Sequence, residues 1–112
     1  MLGMNLKNYK NEKKDGLEEW FDENGQLERR ENFNNGEPHG LHEEFDKNGQ
    51  LETKGNYKEG EPEGLWDYFS ETGQLERRGN WKNWERDGLW EYFDSIGNLT
   101  RTEEYKDGQL IE

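Results

Sequence analysis

The chain has 112 residues, a formal net charge of −12 and no cysteine. Leu, Ile, Val and Phe make up about 16% of it, a proportion typical of disordered chains, which bury too little apolar area to fold. The lack of cysteine excludes a disulfide framework and thiol chemistry, and the length allows one domain at most, residues 1–112.

The N-terminal segment gives no sign of export. Residues 1–15 lack the apolar run of a signal peptide, and no stretch approaches the length of a membrane span. We therefore expect a cytoplasmic protein.

A 24-residue period argues against disorder. Gly-Leu recurs at 16, 40, 64 and 88, and three further columns follow the same spacing: Phe21, Phe45, Phe69 and Phe93; Leu27, Leu51, Leu75 and Leu99; Phe33, Tyr57, Trp81 and Tyr105. Such a period is typical of an array in which each unit contacts mainly its neighbours. It predicts a half repeat at 5–15 and repeats at 16–39, 40–63, 64–87 and 88–111.

Each repeat is predicted to be one β-hairpin. An aromatic strand ends in a turn such as Asp22-Glu23-Asn24-Gly25, where Asp caps the turn and Gly adopts the left-handed conformation of a three-residue loop with a bulge. A second strand follows, for example Gln26 to Asn34. The fold is therefore expected to be all-β, a single elongated antiparallel meander sheet of tandem hairpin repeats with about nine strands.

The connections between repeats contain Gly and Pro, which favour turns. Trp84 stands where Gly36 and Gly60 stand in the earlier connections. Because a bulky residue disfavours positive φ, we expect a turn of different shape there.

Period-2 alternation along the strands predicts two faces. Phe21 should lie opposite Leu27 and Glu19 opposite Arg29, so that the Leu, Phe and aromatic columns share one buried face. Gly55 and Gly79 should leave room there for a neighbouring side chain.

The other face is then expected to present an exposed comb of aromatic residues to a protein partner: Trp20, Trp66, Tyr68, Trp90 and Tyr92. The alternative is that each ring lies over its own cross-strand neighbour, such as Trp66 over Arg78 in a cation–π contact.

The unit Gly-Leu-Trp-x-Tyr-Phe-x-x-x-Gly-Gln-Leu-x-x-x-Gly-Asn-Tyr-Lys-x-Gly resembles the bacterial variant of the MORN repeat, over residues 5–108. The resemblance implies an elongated antiparallel sheet that serves as an interaction or scaffolding module, and some members carry an antitoxin label. It implies no catalytic motif. Glu31, Glu103 and Trp84 depart from the pattern.

Catalysis and metal binding have little support in the sequence. His39, His42, Ser70 and Ser95 belong to different repeats, so no nucleophile and base can be assembled. The Asp22–Gly25 turn is too short for an EF-hand loop, which spans twelve residues. We expect no catalytic residue, no cofactor and no metal.

The acidic balance should repel nucleic acid and an anionic membrane, because no basic stripe compensates it. It suits a basic protein partner, although the charge also serves to keep an open sheet soluble. Two functions follow: a protein-interaction module, including an antitoxin-like binder of a basic partner, or a structural array that forms homo-oligomers through its open sheet ends.

Overall fold

The computed structural model describes residues 9–10 and 13–111. The half repeat predicted at 5–15 therefore lies partly outside the described residues. The strands are β1 (Tyr9–Lys10), β2 (Lys13–Lys14), β3 (Gly16–Phe21), β4 (Leu27–Asn34), β5 (Glu37–Phe45), β6 (Leu51–Lys58), β7 (Glu61–Phe69), β8 (Leu75–Lys82), β9 (Glu85–Phe93), β10 (Leu99–Lys106) and β11 (Gln109–Leu110).

The predicted architecture is confirmed. Strands β3 to β11 form one nine-stranded antiparallel sheet in simple sequence order, while β1 and β2 pair separately. The Cα atoms span 46 × 32 × 14 Å, the dimensions of a single elongated layer. Among the described residues no helix covers this layer, so its side chains must shelter one another along each face.

The turns inside the hairpins are as predicted. The Asp22 N–H donates to the Gln26 carbonyl (2.8 Å) and the Gly25 N–H to the Asp22 carbonyl (3.0 Å), which closes a three-residue loop with Gly25 at φ 83°. The Asp22 Oδ1 accepts the N–H groups of Asn24 and Gln26. The carboxylate thus satisfies the backbone donors that the reversal leaves free.

The turns between hairpins correct one prediction. Asn35 and Gly36 have φ of 54° and 88°, the two positive values of a type I′ turn, which suits the right-handed twist of the flanking strands. Asn83 and Trp84 repeat this geometry with φ of 53° and 65°. The prediction of a different turn at Trp84 was wrong, because the hairpin holds the tryptophan in the left-handed conformation.

A bulge in the second strand of each hairpin overturns the predicted faces. Phe21 pairs with Leu27 as expected, but Trp20 pairs with Arg29, so that Glu28 is an extra residue. Because side chains alternate, one extra residue transfers the rest of the strand to the opposite face. The aromatic column of Phe33, Tyr57, Trp81 and Tyr105 therefore lies with the tryptophans and not with Leu27.

Burial follows the corrected faces. Trp20, Trp66 and Trp90 are 6%, 5% and 0% exposed, whereas Leu65 and Leu89 are 48% and 47% exposed. The leucine face is therefore not the buried one. The same shift moves the predicted Glu19–Arg29 charge pair by one residue: the Arg30 Nε lies 3.1 Å from Glu19.

Candidate functional site: an aromatic face with a groove

One face of the sheet, here called the aromatic face, carries Trp20, Trp66 and Trp90 together with the Phe33–Tyr105 column. Ring centroids lie 5.3 Å apart for Tyr57 and Trp66 and 5.6 Å apart for Trp81 and Trp90. The prediction that these aromatic residues form an exposed comb was wrong for the three tryptophans, because they are buried and form the core. Tyr68 and Tyr92 lie half-buried on the same face.

Glycines in the middle of β6 and β8 allow two of the tryptophan rings to pack directly against the backbone. A Cβ built on Gly55 would lie 2.0 Å from the Trp66 ring, and one on Gly79 would lie 1.9 Å from the Trp90 ring. The indole N–H groups donate to the carbonyls of Asn56 and Asn80, at 3.1 and 3.0 Å. The glycines do leave room for a neighbouring side chain, as predicted, but that neighbour is the tryptophan of the following hairpin.

Guanidinium groups lie over several rings of this face. Arg29 is 4.1 Å from the Trp20 ring centroid, Arg77 is 4.5 Å from Tyr68, and Arg101 is 4.1 Å from Tyr92. This is the alternative considered from the sequence, with different partners: the Arg78 Nε lies 3.0 Å from Asp67, and Trp66 has no guanidinium over it among the described residues.

A buried polar cluster occupies the tryptophan position of the second repeat. His42 is 4% exposed, with Nδ1 3.0 Å from Glu31 and Nε2 2.8 Å from Glu44. Burial lowers the pKa of His42, but the hydrogen bonds and charges of Glu31 and Glu44 outweigh it and raise the pKa from 6.5 to about 9. Glu31 stands where Gly55 and Gly79 stand in later repeats, so that the smaller His42 faces a carboxylate instead of a glycine.

We expect the stability of the protein to fall as the pH rises from 6.5 to about 9, the two pKa values of His42 in the unfolded and folded states. Because folding raises the pKa of His42, protonation of His42 favours the folded state. This stabilisation is complete below pH 6.5, the pKa in the unfolded chain, and it is lost once the pH exceeds the folded-state pKa of about 9. The shift corresponds to about 3 kcal/mol. Urea denaturation at about pH 5.5 and about pH 9.5 would measure it. His42→Gln should abolish the pH dependence and His39→Gln should retain it; equal slopes for wild type and His42→Gln would contradict the prediction.

A groove of about 200 Å³ opens on the aromatic face across β6, β7 and β8. We call it the aromatic groove; its lining residues are Tyr57, Pro62, Trp66, Tyr68, Trp81 and Trp84. Trp81 Nε1 donates to the Tyr68 hydroxyl at 2.9 Å, and Trp84 is 60% exposed at one end. Of the predicted binding residues, the groove gathers Trp66 and Tyr68 and leaves out Trp20, Trp90 and Tyr92.

The sequence reasoning missed the remaining groove residues. Tyr57 and Trp81 were placed on the wrong face, and Pro62 was considered only as a turn residue. Trp84 gave the available signal, since a tryptophan replaces glycine there.

Replacing Trp84 with glycine should stabilise the protein by about 1–2 kcal/mol, because a left-handed backbone is strained for any residue with a Cβ. Urea denaturation measures this change. Gly60→Trp, which makes the reverse exchange in the preceding turn, should destabilise by a similar amount. A loss of stability in Trp84→Gly would show instead that packing of the indole outweighs the backbone strain.

Neither a metal centre nor a helical membrane span occurs in the described part of the chain. Within residues 13–111, His, Asp and Glu side chains form no group suited to hold a metal ion. The described residues also include no helix with the length and apolar character needed to cross a membrane.

Comparison with known proteins agrees with the hairpin array. The family described as MORN repeat variant matches residues 14–35, 38–59 and 62–83, more than half of the chain. A comparison with curated proteins found no match.

Proposed function

Since the chain belongs to the MORN repeat variant family, we propose that it is a non-catalytic module that binds a protein partner through the aromatic groove. Repeats of this family are a non-catalytic type, generally associated with protein or membrane interactions. The observation that carries the proposal is Trp84, a large apolar side chain left 60% exposed beside an aromatic-lined groove on a strained backbone. Strain of this kind concentrates at binding sites.

The charge supports a basic protein segment as the partner. A net charge of −12 attracts cationic segments, raises their association rate and repels an anionic membrane surface or nucleic acid. Aromatic side chains dominate the binding energy of many protein interfaces. An antitoxin-like protein in the bacterial cytoplasm, with a basic toxin as its target, is the narrower form of this proposal.

Selection from a library of random peptides tests the proposal. The wild-type chain should enrich basic peptides whose binding weakens with salt and falls about tenfold in Tyr68→Ala/Trp84→Gly. Ile96→Ala is the matched control, because Ile96 is another apolar side chain in a turn, 78% exposed; it should bind as wild type does. Failure to enrich any peptide over the double variant, or enrichment without a basic bias, would overturn the proposal.

Self-association is the second candidate. Within the described part of the chain, β11 covers only the end of β10, and residues 99–103 form an open strand edge beside the exposed side chains of Leu99, Leu110 and Ile111. An unpaired edge is a template for pairing with another chain. Sedimentation equilibrium should then show oligomers that Thr100→Pro disrupts, whereas a monomer at high protein concentration would exclude this candidate.

A further inference from the structure

The last repeat contains a filled version of the aromatic groove. Its filling group is Arg86, whose guanidinium lies 4.1 Å from the Trp90 ring centroid and 5.4 Å from that of Tyr105. Its Nη1 donates to the hydroxyls of Tyr92 (2.9 Å) and Tyr105 (3.1 Å). A guanidinium group is thus stacked on indole and bound by phenol oxygens on the protein's own aromatic face, with the Arg86 side chain half-buried.

The residues that stand 24 positions earlier, in the preceding repeat, form the groove. Trp90, Tyr92 and Tyr105 become Trp66, Tyr68 and Trp81, all three of which line the groove. Arg86 becomes Pro62, whose ring is too short to reach as far as a guanidinium. The groove therefore corresponds to the space that the Arg86 side chain fills in the following repeat.

The first repeat also supplies a cation of its own. Lys14, the equivalent of Pro62 in the first repeat, has its Nζ 4.8 Å from the Phe33 centroid and 5.0 Å from that of Trp20. In the second repeat this position is Pro38, as in the third, and His42 stands at the position of Trp90, with its ring 5.3 Å from Tyr57. Among the described residues, no lysine or arginine lies over Tyr57, Trp66 or Trp81.

From this equivalence we infer that the aromatic groove binds the side chain of an arginine supplied by a protein partner. The inference deepens the proposed function and rests on it for the biological source of the arginine. A guanidinium suits the groove better than an ammonium does, because it is planar, stacks on aromatic rings and is more weakly hydrated.

The polar groups around the groove are compatible with a bound cation. Arg77 lies over the Tyr68 ring at 4.5 Å, but its equivalent Arg101 lies over Tyr92 at 4.1 Å in the site that Arg86 fills, so this cation does not exclude a second guanidinium. The Tyr68 hydroxyl accepts one hydrogen bond from Trp81, and a hydroxyl oxygen can accept a second. His42, which contacts Trp66 and Tyr57, is held between Glu31 and Glu44, so this cluster is not net positive. Gly79 replaces Glu103, which accepts hydrogen bonds from both tyrosines of the filled site. A partner's arginine is therefore held less tightly than Arg86 is.

The test is an NMR titration of the five indole N–H signals, assigned by Trp→Phe variants, with N-acetyl-arginine amide. The arginine probe should shift the Trp66, Trp81 and Trp84 signals and leave Trp20 unmoved. The citrulline analogue, which has nearly the same shape but no charge, should bind about tenfold more weakly. N-acetyl-proline amide tests the competing view that the groove takes proline. Equal shifts with arginine and citrulline, or shifts with proline alone, would overturn the inference.

Two exchanges at the equivalent positions sharpen the test. Pro62→Arg should fill the groove from within and reduce binding of the arginine probe by about tenfold or more. Arg86→Pro, which installs the residue that the second and third repeats already carry, should open a second site whose occupation shifts the Trp90 signal. Binding to Pro62→Arg as to wild type would contradict the inference. Selection of basic peptides that contain lysine rather than arginine would also contradict the inference, but it would agree with the proposed function.

Discussion

Gly79→Ala is expected to destabilise the protein by about 3 kcal/mol, although it adds a single methyl group. The added Cβ would lie 1.9 Å from the Trp90 ring, which is fully buried, so the ring can move away only by displacing its neighbours. The backbone of Gly79 does not have positive φ, so alanine is sterically allowed there and the whole cost comes from the contact with the indole. Urea denaturation of both proteins measures the difference.

The double variant supplies the control. With Trp90 already replaced by alanine, the cost of Gly79→Ala should fall below about 1 kcal/mol, since the ring that it collides with is gone. Gly55→Ala should behave in the same way toward Trp66, because the built Cβ lies 2.0 Å from that ring. Additive effects of Gly79→Ala and Trp90→Ala would contradict this packing.

Trp90→Ala is expected to cost about 3–5 kcal/mol, the range for removing a large aromatic side chain from a core. Trp90 is 0% exposed, contacts Trp81 and Tyr68, and carries the Arg86 guanidinium. In a single-layer protein this is a large part of the total stability, and urea denaturation of the variant beside the wild type measures it.

Leu89→Ala is the matched comparison for Trp90. The two residues are adjacent in β9 but on opposite faces, and Leu89 is 47% exposed, so its loss should cost about 1 kcal/mol or less. If Leu89→Ala were the more damaging substitution, the leucine face would be the core after all.

Much of the fold could be predicted from the sequence because each 24-residue repeat contains the turn residues of one hairpin. The Asp-to-Gly turns and the columns at 24-residue spacing fixed the strand order and the approximate number of strands. These features depend on local turn chemistry, which a few residues specify.

The faces were predicted wrongly because one residue decides them. Glu28 has no side-chain feature that marks a bulge, and the alternation argument assumes unbroken pairing from Leu27 to Phe33. A signal was nevertheless present. Gly55 and Gly79 are each followed eleven residues later by a tryptophan, whereas Glu31 is followed at the same spacing by His42. This exchange between repeats indicates direct contact, which the structure confirms.

The groove could not be predicted because it depends on the corrected faces. Trp66, Tyr68 and Trp81 meet only when the aromatic column and the tryptophans lie on one side of the sheet. Only with the corrected faces can the groove be compared with the Arg86 site. Pro62 and Arg86 occupy equivalent positions in successive repeats, and the rings around them are equivalent as well.

Hydrogen exchange at the indole N–H groups tests the central claim, that the tryptophan side of the sheet is its core and Trp84 its exposed exception. The indole N–H groups of Trp66 and Trp90 donate to the backbone carbonyls of Asn56 and Asn80. Trp84, by contrast, is 60% exposed to solvent. We predict slow exchange for Trp66 and Trp90 and fast exchange for Trp84 in the same native sample. Equally fast exchange of all three would show that the tryptophans line an open surface, and both the core and the groove described above would be wrong.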